Sequence, residues 1–430
     1  MSIKIFNYNT LPKNDFERLF SRSSINYDAL KTEIKPIMDE VKQEGDKAIL
    51  NKYTKRKIPV TTLLVSDAEF SEAQKKVSTN FLKALATAKS NIESVCLAQR
   101  KSLEDNSKVE KNGVAVWREW RSLDTVGIYA PGGRANYPST LLMCALPALI
   151  AGCKKIIVCA PPNPEGKLPA ELLVTAKNLG IREVFKVGGV QAIAALAYGT
   201  ESIPKVLKIV GPGNQYVTAA KLSIYPQTNI DMPAGPSENL IIADDTANPK
   251  FVAADLITDA EHGPDSTSIL VTPSEKLAMS VQREVDLLLK TLPTKETIEQ
   301  SLQNYGAIII VESIEEAISV SNEYAPEHMQ IMTSNPSIVL KSICNAGSVF
   351  LGPYSAKAAG DYCSGANHVL PTGQAAKTFG PLAVDSFGKW LEVQKISEVG
   401  LKKLSKTIET YAEVEDLPAH KLSSLIRKKL

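Results

Sequence analysis

Along the first hundred residues the apolar positions recur at helical spacing. Ile34, Ile37, Met38 and Val41 share one face of one segment, and Phe81, Leu85, Ala88, Ile92 and Val95 share one face of another, which predicts amphipathic helices. GVAVWREW at 113–120 breaks that period with strand-like alternation. From 125 onward the texture changes to short apolar runs that end in glycine or proline and lead into helix-like segments. TVGIYAPGG precedes TLLMCALPALIAG, KKIIVCAPP precedes PAELLVTAKNLG, EVFKVGG precedes VQAIAALAYG, and KVLKIVGPGN precedes QYVTAAKLSIY. Four strand–turn–helix units in succession predict parallel strands joined by crossover helices, with ligands at the carboxyl ends of the strands.

A second set begins at 239. NLIIADD, TSILVTP, GAIIIVES and AGSVFLG read as strands separated by helix-like segments at 248–261, 274–292 and 314–323, so two α/β units are expected. From 382 the chain reads as helices with a basic end, SSLIRKKL. That tail is too small for a core of its own and is expected to dock elsewhere, on a second subunit.

Composition adds mainly exclusions. With 430 residues, 44% hydrophobic and 22% charged, the chain can bury a sizeable core. Basic and acidic residues number 49 and 47, a formal charge of +2, and the lysines are scattered, so small molecules are favoured over nucleic acid or anionic membrane. No apolar run approaches the roughly 20 residues of a membrane span, and the N-terminus lacks the pattern of a secretory leader; a cytoplasmic location is the expectation. The six cysteines form no C-x-x-C pair and are expected to be reduced and mostly buried, with Cys153 a loop or strand-entry residue and not an activated nucleophile.

Candidate chemistry lies in glycine turns and histidines. VGPGNQY offers G-x-G between a strand and a helix, where backbone N–H groups could meet a phosphate, but Tyr216 stands where a third glycine would complete the dinucleotide fingerprint. There are only four histidines, and each has a carboxylate nearby: His262 follows Glu261, His328 follows Glu327, His368 comes seven residues after Asp361, and His420 five after Glu415. Asp255, Asp259 and His262 fall at i, i+4 and i+7, one face of a helix that HGPD would end. Imidazoles and carboxylates without a thiolate cluster suit zinc or a similar first-row divalent ion; capping or salt-bridging by Asp259 is the alternative. Glu327 and His328 follow Pro326 and are expected to open an extended segment with side chains pointing apart, a pair suited to two successive proton transfers on one substrate.

YAPGG, VGGVQAIAALAYGT, VGPGNQYVTAAK, DMPAGPSE, AEHGPDS, YAPEH and GDYCSGANHVLPT occur in the order and spacing of histidinol dehydrogenase. The chain resembles that family from about residue 30 to its end. The resemblance implies an NAD-dependent, zinc-containing homodimer of cytoplasmic histidine biosynthesis, with one Zn2+ per subunit. It oxidises L-histidinol through L-histidinaldehyde to L-histidine with two NAD+. The implied fold is two incomplete Rossmann-like domains with small helical extensions: 1–23 at the N-terminus, 24–128 with 237–381 as a discontinuous first domain carrying metal and substrate residues, 129–236 as the NAD-binding domain, and 382–430 as a C-terminal extension reaching the partner. The implied metal ligands are Asp259, His262, Asp361 and His420, the last from the neighbouring chain. Glu327 activates water, and His328 is the general base. Ser237, His368 and Glu415 join these groups around the substrate, and Tyr129, Gln191 and Asn214 take the NAD positions.

One position departs from the family: Asp259 stands where glutamine is usual. The resemblance leaves two outcomes for it, direct ligation in a more negative site or a water-bridged contact. Two competing readings also stand at this point: a zinc hydrolase in which Glu327 activates a metal-bound water, and a non-catalytic metabolite-binding module.

Overall fold

The structure is a computed structural model that describes residues 3–21, 27–53, 60–104, 107–132 and 136–428. Gly133, the last residue of the YAPGG turn, the ends of the predicted N-terminal extension at residues 1–2 and 22–23, and the last two residues of the basic tail lie outside that range. Two parallel sheets carry the fold. One has the order Val184–Lys186, Lys155–Ala160, Thr125–Tyr129, Lys208–Val210, Asn229–Ile230. The other has the order Ile5–Asn7, Gly306–Ile310, Thr267–Thr272, Glu238–Ala243, His328–Met332, Ser348–Leu351. All four predicted strand–turn–helix units between 125 and 224 are present.

Both sheets are covered on both faces, which is why their strands read as continuous apolar runs. Alternate residues feed opposite cores: Ile156 and Val158 point to one side of the five-stranded sheet, Ile157 and Cys159 to the other. In the six-stranded sheet Ile241, Leu270 and Ile308 face one core, while Leu240, Ile242, Ile269 and Val271 face the other. All six cysteines are free. Burial pushes the Cys153 thiol up to about 11, which removes it as a nucleophile at neutral pH. No helix among the described residues is long and apolar enough to cross a membrane.

Three expectations about organisation change. The resemblance groups residues 24–128 with the six-stranded unit, yet the helix Tyr27–Glu44 puts Ile34, Met38 and Val41 into the core of the five-stranded sheet, and Thr125–Tyr129 is that sheet's central strand. Ile5–Asn7, assigned to a terminal extension, is instead an edge strand of the six-stranded sheet. The region from 382 is not wholly helical. Gly388–Ile396 is a strand antiparallel to Val114–Ser122, Trp390 opposite Trp120, in a three-stranded sheet completed by Val109–Lys111; KWLEVQKI alternates like a strand, as its partner GVAVWREW does. The helices Glu398–Val414 and Pro418–Lys428 follow.

Candidate active site

The cluster of acids and imidazoles forms at the amino-terminal edge of the six-stranded sheet, opposite to the edge that parallel-sheet topology favours. Two acids begin adjacent strands. Glu238 opens Glu238–Ala243, and Glu327 stands immediately before His328–Met332. The parallel register sets His328 opposite Asn239 and so brings the two glutamates side by side. They are joined reciprocally: the Glu238 N–H donates to Glu327 Oε2 at 2.9 Å, and the Glu327 N–H donates to Glu238 Oε2 at 3.3 Å. Glu238 Oε1 also accepts the Gly373 N–H at 2.7 Å.

His328 is buried beside this pair. Its Nδ1 lies 3.2 Å from the Glu238 carbonyl oxygen, an acceptor only, so Nδ1 carries the proton and Nε2 presents the lone pair. Nε2 is buried without a hydrogen-bond partner, 3.6 Å from Asp361 Oδ1. Glu327 Oε2 is 3.6 Å from His328 Nδ1; the two side chains do not point apart as expected but share one pocket. Burial pushes the Glu327 carboxyl up to about 8. Burial favours the neutral form of His328, but the Asp259 and Glu327 carboxylates outweigh it and hold its pKa above the ordinary value.

Asp259 arrives by a different local structure from the one predicted. The helix Pro249–Leu256 ends early, and Asp259–His262 is a separate 3-10 turn. Asp255 therefore lies at the flank of the cluster: Gln330 Nε2 donates to its Oδ2 at 2.7 Å, the Lys357 backbone N–H also donates to its carboxylate, and burial raises its pKa. Asp259 is fully buried, with Oδ2 3.6 Å from His328 Nδ1. His262 sits at the open side, Nε2 3.9 Å from Asp259 Oδ1 with 45% of its side chain exposed.

A lysine completes the cluster. Lys357 and Asp361 stand four apart on the helix Lys357–Tyr362, hence on one face. Lys357 Nζ donates to Asp259 Oδ1 at 2.6 Å and contacts Asp361 Oδ2 at 2.9 Å, with only 2% of the lysine side chain exposed. Burial opposes its charge, but the two carboxylates hold its pKa above the ordinary value. Burial would raise the Asp361 pKa, yet His328 and Lys357 hold it well below the usual carboxylate range.

His368 connects this cluster to the other unit. Its Nδ1 is 2.7 Å from the Asp361 carbonyl oxygen, and its Nε2 is 3.2 Å from Thr140 Oγ1 on the helix Pro138–Ala151. Burial lowers its pKa, favouring the neutral ring. Ser237 lies just before Glu238 and is half-buried, its carbonyl accepting the Thr267 N–H at 2.9 Å. Glu415 and His420 stand apart: both are exposed, at the turn and the start of the two C-terminal helices, and no hydrogen bond or ion pair among the described residues ties either to the cluster.

The second constellation sits on the five-stranded sheet, whose order reverses between Thr125–Tyr129 and Lys208–Val210, the switch point at which such sheets open a crevice at their carboxyl ends. Tyr129 ends the first of these strands and accepts the Gly189 N–H on its phenol oxygen at 3.2 Å. Gln191 lies in the first turn of Val190–Tyr198, and Asn214 caps Gln215–Ile224. The turn is not an open phosphate cradle as VGPGNQY suggested. Asn214 Oδ1 accepts the Tyr216 and Val217 N–H groups, each at 3.1 Å, and Asp231 Oδ2 accepts the Gly211 N–H at 2.8 Å. Lys221 is ion-paired with Asp231 in the buried interior and donates to the Gly211 carbonyl oxygen at 3.1 Å. The phenol and amides at the switch point, with Lys52 Nζ donating to Gln191 Oε1 at 2.6 Å, offer polar groups to a dinucleotide; the Tyr216 and Val217 N–H groups at the helix start are already satisfied by Asn214.

A divalent ion held as the resemblance implies does not fit the first cluster. The Lys357 ammonium stands between the two carboxylates, and among the described residues no group of three or more His, Cys, Asp or Glu side chains converges to hold a metal. Glu238, Lys357, Asp231 and Lys221 are the polar residues that motif reading missed. A signal for Lys357 did exist, since it falls at i and i+4 with Asp361.

A histidinol dehydrogenase family model matches residues 20–428. The histidinol dehydrogenase of Clostridium acetobutylicum is 47% identical over 407 residues, covering 94% of this chain and 93% of that protein. That of Methanocaldococcus jannaschii is 43% identical, covering 98% and 97%. The crystal structure of histidinol dehydrogenase from Elizabethkingia anophelis superposes with a TM-score of 0.94 at 42% identity, covering 99% and 98%.

Proposed function

The chain belongs to the histidinol dehydrogenase family, and from that premise we propose that it is an NAD-dependent enzyme that oxidises L-histidinol through L-histidinaldehyde to L-histidine, the closing steps of histidine biosynthesis. The observation that carries the reading is the buried Glu327–His328 pair, one imidazole nitrogen fixed by a backbone carbonyl and the other unbonded. NAD+ supplies the hydride acceptor when bound, one equivalent for each oxidation.

His328 Nε2 receives the proton of the substrate hydroxyl, and the adjacent Asp361 and Asp259 carboxylates stabilise the imidazolium that results. Glu327, desolvated and held by the Glu238 backbone N–H, takes a proton from the water that attacks the aldehyde. His368, bridging Asp361 and Thr140, fixes the cluster relative to the dinucleotide crevice; Ser237 stands at the same edge. Tyr129, Gln191 and Asn214 are assigned to the cofactor. Ligation of zinc by Asp259, His262, Asp361 and His420, direct or through water at Asp259, would require Lys357 to leave its place.

The reading includes a homodimer. Val399, Tyr411, Val414, Leu422 and Ile426 expose large apolar surface on the two C-terminal helices, as expected of a face covered by a second copy, and the exposed Glu415 and His420 would then reach the partner's site.

Measurement of NADH formation from histidinol tests the reading. Activity should climb as pH rises through about 8 and fall below it, because Glu327 and His328, whose pKa is also raised, act only once deprotonated. The Glu327→Gln variant should lose the part of this dependence that belongs to aldehyde oxidation. A wild-type profile flat from acid to alkaline pH would contradict these assignments. Tyr129→Phe removes the acceptor of the Gly189 N–H and should raise the KM for NAD+ on the order of 5-fold, the worth of one hydrogen bond, with kcat nearly unchanged; an unaltered KM would remove Tyr129 from the cofactor site.

A further inference from the structure

We propose that the Lys357 ammonium is the resident cation of this active site, standing between Asp259 and Asp361 in place of a divalent metal, so that the folded protein retains no tightly bound zinc. The proposal rests on the dehydrogenase reading for the site's role, but its own ground is geometric. Nζ lies 2.6 Å from Asp259 Oδ1 and 2.9 Å from Asp361 Oδ2, so it occupies the gap that a cation shared by these carboxylates would need. A zinc ion bonds to carboxylate oxygen at about 2.0–2.2 Å, and an ion at that distance from both oxygens would lie on the ammonium itself.

The lysine is not a surface group that swings away. It opens the helix Lys357–Tyr362 with 2% of its side chain exposed, and Asp259 beneath it is fully buried. Zinc entry would therefore demand that a buried ammonium lose both charge-assisted bonds and find new solvation, a large penalty. The remaining groups offer little compensation. His262 is half-exposed at 3.9 Å from Asp259, and His328, whose Nδ1 is spent on the Glu238 carbonyl, offers only its unbonded Nε2, the atom that takes the substrate proton. Fixing both carboxylates has a use of its own: it holds Asp361 Oδ1 against His328 Nε2 at 3.6 Å without any ion. Lys357 is a positioning residue on this account.

The test measures metal directly on the full-length protein. Wild type is purified, equilibrated with excess Zn2+, dialysed, and analysed by elemental mass spectrometry; zinc affinity is then titrated against a chromogenic chelator for wild type, Lys357→Met and the double variant Lys357→Met/Asp259→Asn. Wild type should retain zinc well below one ion per subunit. Lys357→Met should bind zinc on the order of 100-fold or more tighter, because a like charge within a few ångströms is removed, and the double variant should lose most of that gain. One zinc per subunit in dialysed wild type, or a Lys357→Met variant that binds zinc no tighter, overturns the proposal; the wild-type measurement decides even if the variant fails to fold. NADH formation on the same wild-type sample keeps the two ideas separate. A metal-free sample that forms NADH upholds both, while a metal-free sample that forms none supports the ammonium assignment and counts against the dehydrogenase reading.

Discussion

His328→Asn is expected to lower kcat for histidinol oxidation on the order of 1,000-fold, the usual worth of a positioned general base, with the KM for histidinol changed only a few-fold. The structure ties the effect to Nε2. Asparagine retains a donor near the Glu238 carbonyl, which Nδ1 contacts at 3.2 Å, but cannot accept a proton at the unbonded position. Oxidation of supplied histidinaldehyde should suffer less, and Glu327→Gln should show the reverse preference. The separation will be incomplete because Oε2 of Glu327 is 3.6 Å from His328 Nδ1, and each group helps to set the other's charge. Equal losses in both half-reactions for both variants would show that the division of labour is wrong.

The second large effect is on stability. Asp231→Leu strands the Lys221 ammonium in the interior, where the two side chains are 1% and 3% exposed, and should cost about 3–5 kcal/mol, read as a shift of the denaturant midpoint. It also frees the Gly211 N–H and loosens the Lys221 contact to the Gly211 carbonyl. Gly211 has φ +111, and a Cβ there would meet the Tyr129 carbonyl oxygen. The turn is thus built from a glycine held at both backbone groups by one ion pair. Lys221→Met/Asp231→Leu, which removes both charges, should recover most of the loss. A single variant within about 1 kcal/mol of wild type, less than a buried charge costs, would mean that water reaches the pair.

What the sequence made legible follows from periodicity. Strands buried on both faces write themselves as apolar runs, so IIVCA and LIIA were plain, as was the helical face of Ile34, Met38 and Val41. The face on Thr79–Ser102 drifts: Val95 is exposed and Cys96 buried in its stead, because the helical repeat and a fixed residue spacing diverge over 24 residues. The candidate acids and imidazoles were visible as motif residues, and the structure gathers Asp259, His262, Glu327, His328, Asp361 and His368 in one place.

The rest depended on contacts distant in the chain. Nothing local distinguishes Glu238 from any strand-opening acid until Glu327 is laid beside it by the register of two strands. Lys357 and Asp259 are 98 residues apart, and only their charges hinted at a pair: a carboxylate at a buried position calls for a cation, and a lysine one helical turn from Asp361 could provide it. The early stop of Pro249–Leu256 was hidden because the spacing of ITDAEH, residues 257–262, satisfies a helix and a 3-10 turn equally over so short a stretch. The strand Gly388–Ile396 needed its partner at 114–122 to be recognised.

The most direct test of the central claim is the count of NADH formed per histidinol consumed by the purified wild-type protein, followed by ultraviolet absorbance alongside chromatographic identification of the product. Two NADH and one histidine per histidinol are predicted, with no free aldehyde accumulating. A folded protein that binds histidinol yet forms no NADH, or releases a product at the oxidation level of the alcohol, would contradict the account.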